Sequence, residues 1–246
     1  MLLGVNFHYI RSDFNFPFSG IHGIKPKQFK NQLAALAEQG EFVSQEDIVR
    51  AIKGDDVLPP KSIAITFDDG LKEQYDLALP ILESMGIPAT FYFNSINIES
   101  GVISPIHKSH YIRATNSAFH IIDRLKDLSQ SLGLKEINLH QLSIKAKSAY
   151  PYDEEPDACL KYYLNRELPP ALSSEVLSSL WRDLVNKDEA LLAAEWYMSR
   201  DQIESLGRKG MLGSHGHEHL SMRQQSKSSR ESQIERSIDF LRELKI

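Results

Sequence analysis

The run Ser62-Ile63-Ala64-Ile65-Thr66-Phe67-Asp68-Asp69-Gly70 decides the reading of the fold. Its first six residues are largely apolar and read as a buried strand, closed by two adjacent carboxylates and a glycine. Asp-Gly alone is a common hairpin turn. A hairpin needs a second alternating strand, whereas Leu71, Tyr75, Ala78, Leu82 and Met85 follow at intervals of four, three, four and three, the period of a helix. The turn is strand-to-helix, so both acids stand at the carboxyl end of a strand, where α/β folds bind ligands.

Toward the amino terminus, Leu2 to Phe7 reads as a short strand ending in His8-Tyr9, followed by a Phe/Pro/Gly/Ser-rich loop from Asp13 to Gly23. Phe29, Leu33, Leu36 and Ala37 mark a helical face stopped by Gly40, and Phe42-Val43 is a further short strand. Ser44 with Asp47 forms a capping box for a helix ending near Gly54. On the other side, the helix from Gly70 to Gly86 contains Pro80, which is expected to bend it, and Ala89 to Phe93 is the next strand. Strand and helix alternating at these intervals predict parallel strands with right-handed crossovers.

From about residue 104 to 195 the pattern is helical only, with one stripe at Phe119, Ile122, Leu125, Leu128 and Leu132 and another at Val176, Leu177, Leu180, Trp181 and Leu184. Leu139 to Pro156 follows no single period. Ser199 with Gln202 caps a short helix, Met211-Leu212-Gly213 is a brief strand, and a last helix is expected to carry Ile234, Ile238, Leu241 and Leu244 on one face. No strand follows it.

Composition narrows the function classes. A net charge of −5 argues against a nucleic-acid or anionic-membrane binder, which needs a basic face. With 41% apolar and 25% charged residues the chain is globular, and it has no apolar run of the ~20 residues that cross a bilayer. The single cysteine, Cys159, excludes an internal disulfide and a cysteine-based zinc cluster, and reads as a small buried hydrophobe. The first residues show no signal-peptide pattern, which points to the cytoplasm.

Ser214-His215-Gly216-His217-Glu218-His219 is the second chemically loaded stretch. On a helix, His215 and His219 would project from one face about 5–6 Å apart, a spacing that suits two ligands of one ion. The alternative is a histidine-rich surface loop. Two histidines joined to one aspartate from another strand end would leave coordination positions open, as catalytic metal sites do.

Thr66-Phe67-Asp68-Asp69-Gly70, the run Gly213-Ser214-His215 to His219-Leu220, and the strand ending in His8-Tyr9 together resemble the polysaccharide deacetylase family, carbohydrate esterase family 4. The spacing of the first 100 residues and the helical insertion resemble the subgroup found with bacterial surface-glycan biosynthesis. The resemblance implies an α/β fold, a distorted (β/α) barrel, here incomplete, with a mostly helical insertion at about 104–195. It also implies hydrolytic removal of N-acetyl groups from an acetamido sugar in a polysaccharide or glycan precursor. Asp68 would be the general base, and Asp69, His215 and His219 would hold a divalent ion, zinc first, with cobalt, nickel or manganese as alternatives. His8 is the candidate general acid by likeness to relatives with a permuted motif order. His217 is the reserve, expected to point outward between the two ligands. Tyr9, Tyr92 and Asn94 are candidates to contact a sugar, or packing residues; His107, Lys108 and His110 are substrate-side residues or a solvated polar face.

The family domain continues into strands that carry an arginine bracing the catalytic aspartate, and Arg11 is the local substitute to consider. Residues 1–246 are therefore expected to form one domain with a truncated carboxyl end. Such a chain would be a fragment, a shortened reading frame, or a protomer whose open barrel edge a homo-oligomer covers. The other functions weighed are an inactive sugar- or metal-binding remnant and another amide hydrolase on the same scaffold.

Overall fold

Five parallel strands carry the fold in the computed structural model, which describes residues 1–15, 20–134, 137–168 and 170–245. In chain order the principal elements are β1 (Leu2–Phe7), α1 (Pro26–Ala37), β2 (Glu41–Phe42), α2 (Gln45–Lys53), β3 (Ser62–Phe67), α3 (Leu79–Met85), β4 (Ala89–Phe93) and α4 (Ser95–Ser100). There follow α5 (Pro105–Thr115), α6 (Ala118–Leu132), α7 (Leu139–Ala149), α8 (Glu155–Tyr162), α9 (Pro170–Leu184), α10 (Glu189–Trp196), α11 (Arg200–Arg208), β5 (Leu212–Ser214) and α12 (Lys227–Glu243). The part of the expected Asp13–Gly23 loop at residues 16–19 lies outside the described residues.

β3 is the centre of the sheet. β1 pairs with it from Leu2 opposite Ser62 to Phe7 opposite Phe67. β2 meets Ser62 and Ile63, β4 meets Ile65 to Phe67, and β5 adds to β4. Being parallel, the strands end at one edge of the sheet, which brings residues 8, 68, 94 and 215 together from four separate stretches. The result is an open parallel sheet with helices, the α/β class expected. Beneath the strand ends lies an aromatic core: the Phe67 and Phe91 rings stack with centroids 4.6 Å apart, and Phe29 meets Phe7 edge-on at 4.9 Å. Each of these buried rings contributes roughly 1.5–3 kcal/mol and makes the strand ends a rigid platform.

Ahead of Pro80, where the sequence predicts a bend, the helix has a π-helical stretch, Gln74–Ala78, in which the Leu79 N–H reaches back to the Gln74 carbonyl. The wider turn admits a proline at the start of α3, where its missing N–H is least costly. Both capping boxes are formed, Ser44 with Asp47 and Ser199 with Gln202.

The chain divides into two compact units, residues 1–17, 22–102 and 189–246 in one and residues 18–21 and 103–188 in the other. The second unit is helical. Its buried residues include Ile121, Ile122 and Leu125 of α6 and Val176, Leu177, Leu180 and Trp181 of α9, and an Arg124–Asp183 ion pair at 2.7 Å ties those helices. Phe119, counted in the sequence stripe, is 60% exposed; Ala118 takes the buried position instead. The aperiodic Leu139–Pro156 stretch forms α7 and the start of α8, which meet around Ala146, Ala158 and Cys159. Leu139, Leu142, Tyr150 and Tyr162 pack around these small residues. Cys159 is buried, as its composition reading had it.

α12 differs from expectation. Its buried face is Gln233, Ser237, Phe240 and Leu244, while Ile234 and Ile238 are 49% and 39% exposed. Gln233 has a structural task described below, and its inward placement leaves the isoleucines facing outward. Among the described residues no helix is long and apolar enough to cross a membrane.

Candidate active site

Asp68 and Asp69 leave the end of β3 in opposite directions because the chain turns sharply between them. Asp69 and Gly70 both adopt the left-handed region, with φ of 80° and 65°. For an aspartate this conformation costs on the order of 1–3 kcal/mol. Gly70 is obligatory, since a Cβ there would lie 2.7 Å from the Phe93 Cβ. The turn is held further by the Met198 N–H, which donates to the Gly70 carbonyl at 3.0 Å.

Asp68 faces the end of β1. Asn6 Nδ2 donates to its Oδ2 at 2.7 Å, Thr66 Oγ1 donates to the Asn6 Oδ1 at 3.0 Å, and His8 Nε2 lies 3.8 Å from the same Asp68 oxygen. Residues 6 and 8 share a strand face by the two-residue period, so one edge of β1 presents both groups to the carboxylate. The histidine and the carboxylate remain accessible, their side chains 48% and 20% exposed.

Asp69 faces the loop after β5. Its Oδ1 lies 3.1 Å from His219 Nε2 and 3.9 Å from His215 Nε2, and potential ligand atoms of the three residues fall within 4.8 Å of one another. The segment is a loop and not a helix; a left-handed His219, φ 56°, folds the second imidazole back beside the first, ring centroids 5.0 Å apart. The donor set, one carboxylate and two imidazoles, suits a divalent ion such as zinc, and the buried aspartate with two partly open histidines leaves one side accessible. Burial pulls the His215 pKa down, with the Asp68 charge opposing it. At His219 burial also acts downward, but the Asp69 hydrogen bond and the Asp69 and Asp68 charges outweigh it and the net direction is up.

The loop is anchored from beneath. Asn94 Nδ2 donates to the His215 carbonyl at 2.7 Å, and the Ser95 and Ile96 N–H groups at the start of α4 donate to the carbonyls of Gly216 and His217. These otherwise orphaned helix donors are thereby satisfied. His217 points inward and not outward: it is fully buried, with Nδ1 2.7 Å from Ser95 Oγ, and burial pushes its pKa down. Asn94 is equally buried, so it braces the histidine loop and does not face a sugar. On the far side Gln233 of α12 accepts from the Glu218 N–H at 2.8 Å and donates to its carboxylate at 2.7 Å, which accounts for one polar residue on the inward face of that helix.

Arg11 does not brace the candidate base. Its Nε donates to both Glu73 oxygens, at 2.8 and 3.0 Å, and Glu73 also accepts from the Ile10 N–H. Burial pushes the Glu73 carboxyl up to about 7 against the opposing pull of Arg11. The Arg11 guanidinium stands 4.1 Å from the Tyr9 ring centroid, and burial raises the Tyr9 hydroxyl well above its ordinary value. Tyr92 packs where a Cβ on Gly213 would come within 2.4 Å of its ring. In the helical unit, His107 and Lys108 are buried, with Lys108 Nζ 3.3 Å from Ser178 Oγ, so they are not a solvated face.

The sequence profile of the polysaccharide deacetylase family matches residues 55–153, which include Asp68 and Asp69. Residues 55–153 thus carry the profile of a polysaccharide deacetylase. It is 27% identical over 191 residues to a poly-beta-1,6-N-acetyl-D-glucosamine N-deacetylase of Staphylococcus epidermidis, an alignment covering 61% of this chain and 64% of that protein. The chain thus spans less than two thirds of this polysaccharide deacetylase relative. Solved structures with some likeness are the Streptococcus pyogenes deacetylase PplD, 15% identical with a TM-score of 0.49 over 99% of this chain and 67% of that one, and IcaB from Ammonifex degensii, 16% identical with a TM-score of 0.47 over 99% and 71%.

Proposed function

We propose that this chain is a polysaccharide deacetylase, a divalent-metal-dependent hydrolase that removes N-acetyl groups from the amino sugars of a glycan, β-1,6-linked N-acetylglucosamine being the first substrate to test by analogy with the staphylococcal relative. The observation that carries the proposal is the convergence of two sets of groups at one sheet edge: Asp69, His215 and His219 within 4.8 Å, and Asp68 between Asn6 and His8.

Asp69, His215 and His219 would hold the ion, which when bound supplies a Lewis acid for the amide carbonyl and lowers the pKa of water. Asp68 accepts the proton of the attacking water, with Asn6 holding its carboxylate in place. His8, protonated, donates to the departing sugar amine, so the acetamide C–N bond breaks to give acetate and a free amine. His8 sits 3.8 Å from Asp68, close enough for both to act on one acetamide group. His217 takes no part, because its ring is sealed beneath the loop.

The test is acetate release from β-1,6- and β-1,4-linked N-acetylglucosamine oligomers, in protein stripped with a chelator and then given Zn²⁺ or Co²⁺. Acetate that appears only after metal is restored is the expected result. Metal binding without turnover on any acetamido sugar would instead favour an inactive remnant.

A further inference from the structure

The β1–β3 pairing ends at Phe7 opposite Phe67, and the Asp68 N–H makes the last backbone rung to the Phe7 carbonyl at 3.2 Å. One step beyond, a side chain replaces the ladder. Gln74 Nε2 donates to the His8 carbonyl at 2.9 Å and to the Asp68 carbonyl at 2.6 Å, one amide hydrogen to each strand end. Both partners are acceptors, so the amide nitrogen has to face them. Gln74 is fully buried, and its Oε1 has no hydrogen-bond partner among the described residues. Burying an unpaired amide oxygen is costly, and a methionine or leucine would fill the same space without that penalty. What the glutamine adds is the double donation. Its position also follows from the irregular helix: it opens the π stretch at Gln74–Ala78, and such stretches recur at functional sites.

We propose that Gln74 is a positioning residue that sets the separation of His8 and Asp68 through their main-chain carbonyls. The inference rests on the acid and base roles given to those residues above. The two groups that must act on one acetamide come from strands 60 residues apart, and a single amide nitrogen fixes their main chains at the point where the ladder stops. Asn6 then orients the Asp68 carboxylate. The two contacts divide the work: Gln74 places the backbone and Asn6 the side chain.

The test is Gln74→Met, which keeps the length and removes both donors, with Gln74→Glu as the companion, whose buried carboxyl when protonated keeps one donor. In crystal structures the His8–Asp68 separation is expected to widen by about 1 Å in Gln74→Met, a displacement that costs about a hundredfold in kcat. KM should stay within about threefold, zinc affinity should be unchanged, and Gln74→Glu should lie between. Added to His8→Gln, Gln74→Met should cost less than about threefold more, because both remove the same cooperation. An unchanged separation with losses that multiply overturns the proposal. If Gln74→Met does not fold, Gln74→Glu carries the same comparisons. If the wild type releases no acetate, the deacetylase reading fails by itself, while the two structures still decide what Gln74 does.

Discussion

Asn6 Nδ2 stands 2.7 Å from Asp68 Oδ2, so the carboxylate proposed as base is fixed by the strand next to its own. Thr66, opposite Asn6 in the β1–β3 register, fixes the asparagine in turn. Asn6→Ala should lower kcat about tenfold to a hundredfold with little change in KM, since it loosens a group needed in the transition state. Steady-state kinetics on the metal-loaded protein check this; a rise in KM alone would place Asn6 in substrate binding instead.

His8→Gln should lower kcat by about 10²–10⁴, the usual range for one general acid or base. A substrate with a better leaving group, such as an activated acetanilide, should recover much of the loss, because its less basic nitrogen depends less on the general acid and can take its proton from water. Equal losses on both substrates would remove His8 from the acid role.

Metal binding should release protons. In the metal-free protein His219 holds its proton above the ordinary pKa of 6.5, with Asp69 as partner, and a ligand imidazole must be neutral. Apparent zinc affinity should therefore fall as pH drops toward and below about 6.5. Calorimetry in buffers of different ionisation enthalpy measures the protons released; no buffer dependence at neutral pH would contradict the site.

Glu73 gives a stability prediction of definite sign. Burial raises its carboxyl from 4.5 to about 7, so between those values the folded chain binds the proton more tightly than the unfolded chain. Its contribution is fully present below pH 4.5 and is lost as pH rises through 7. The wild-type Tm minus that of Glu73→Gln should fall between about pH 5 and about pH 8. A difference that rises with pH would mean that Arg11 holds the folded-state carboxyl low.

Gly70→Ala should destabilise by roughly 1–3 kcal/mol, because its Cβ would meet the Phe93 Cβ in a left-handed backbone. Thermal unfolding measures the loss, and a Tm within a degree of wild type would mean that the turn relaxes.

Much of the platform is legible in the amino-acid sequence. Period, capping residues and glycine stops placed β1, α2, β3, β4 and α11, because each is a local signal. Asp68, Asp69, His8, His215 and His219 stood out as chemistry-bearing side chains at element ends. What was not legible came from contacts between distant stretches. Asn6 could have been found from its two-residue spacing to His8, but Gln74 reads as an ordinary helix residue, and only the π stretch turns it under the strand ends. The same reason explains His217, hidden by its contact with Ser95, and the outward turn of Ile234 and Ile238, set by Gln233 reaching Glu218. Arg11 was the reverse case: a cation close to the site in sequence whose carboxylate is Glu73.

The most direct measurement is turnover and metal content of Asp68→Asn beside the wild type. Asparagine keeps the shape but cannot accept the water proton, and Asp69, His215 and His219 are untouched. The variant should bind zinc with wild-type stoichiometry and release acetate from N-acetylglucosamine oligomers at least about a hundredfold more slowly. Acetate release at the wild-type rate from zinc-loaded Asp68→Asn, or a wild type equally active with and without chelator, would contradict it.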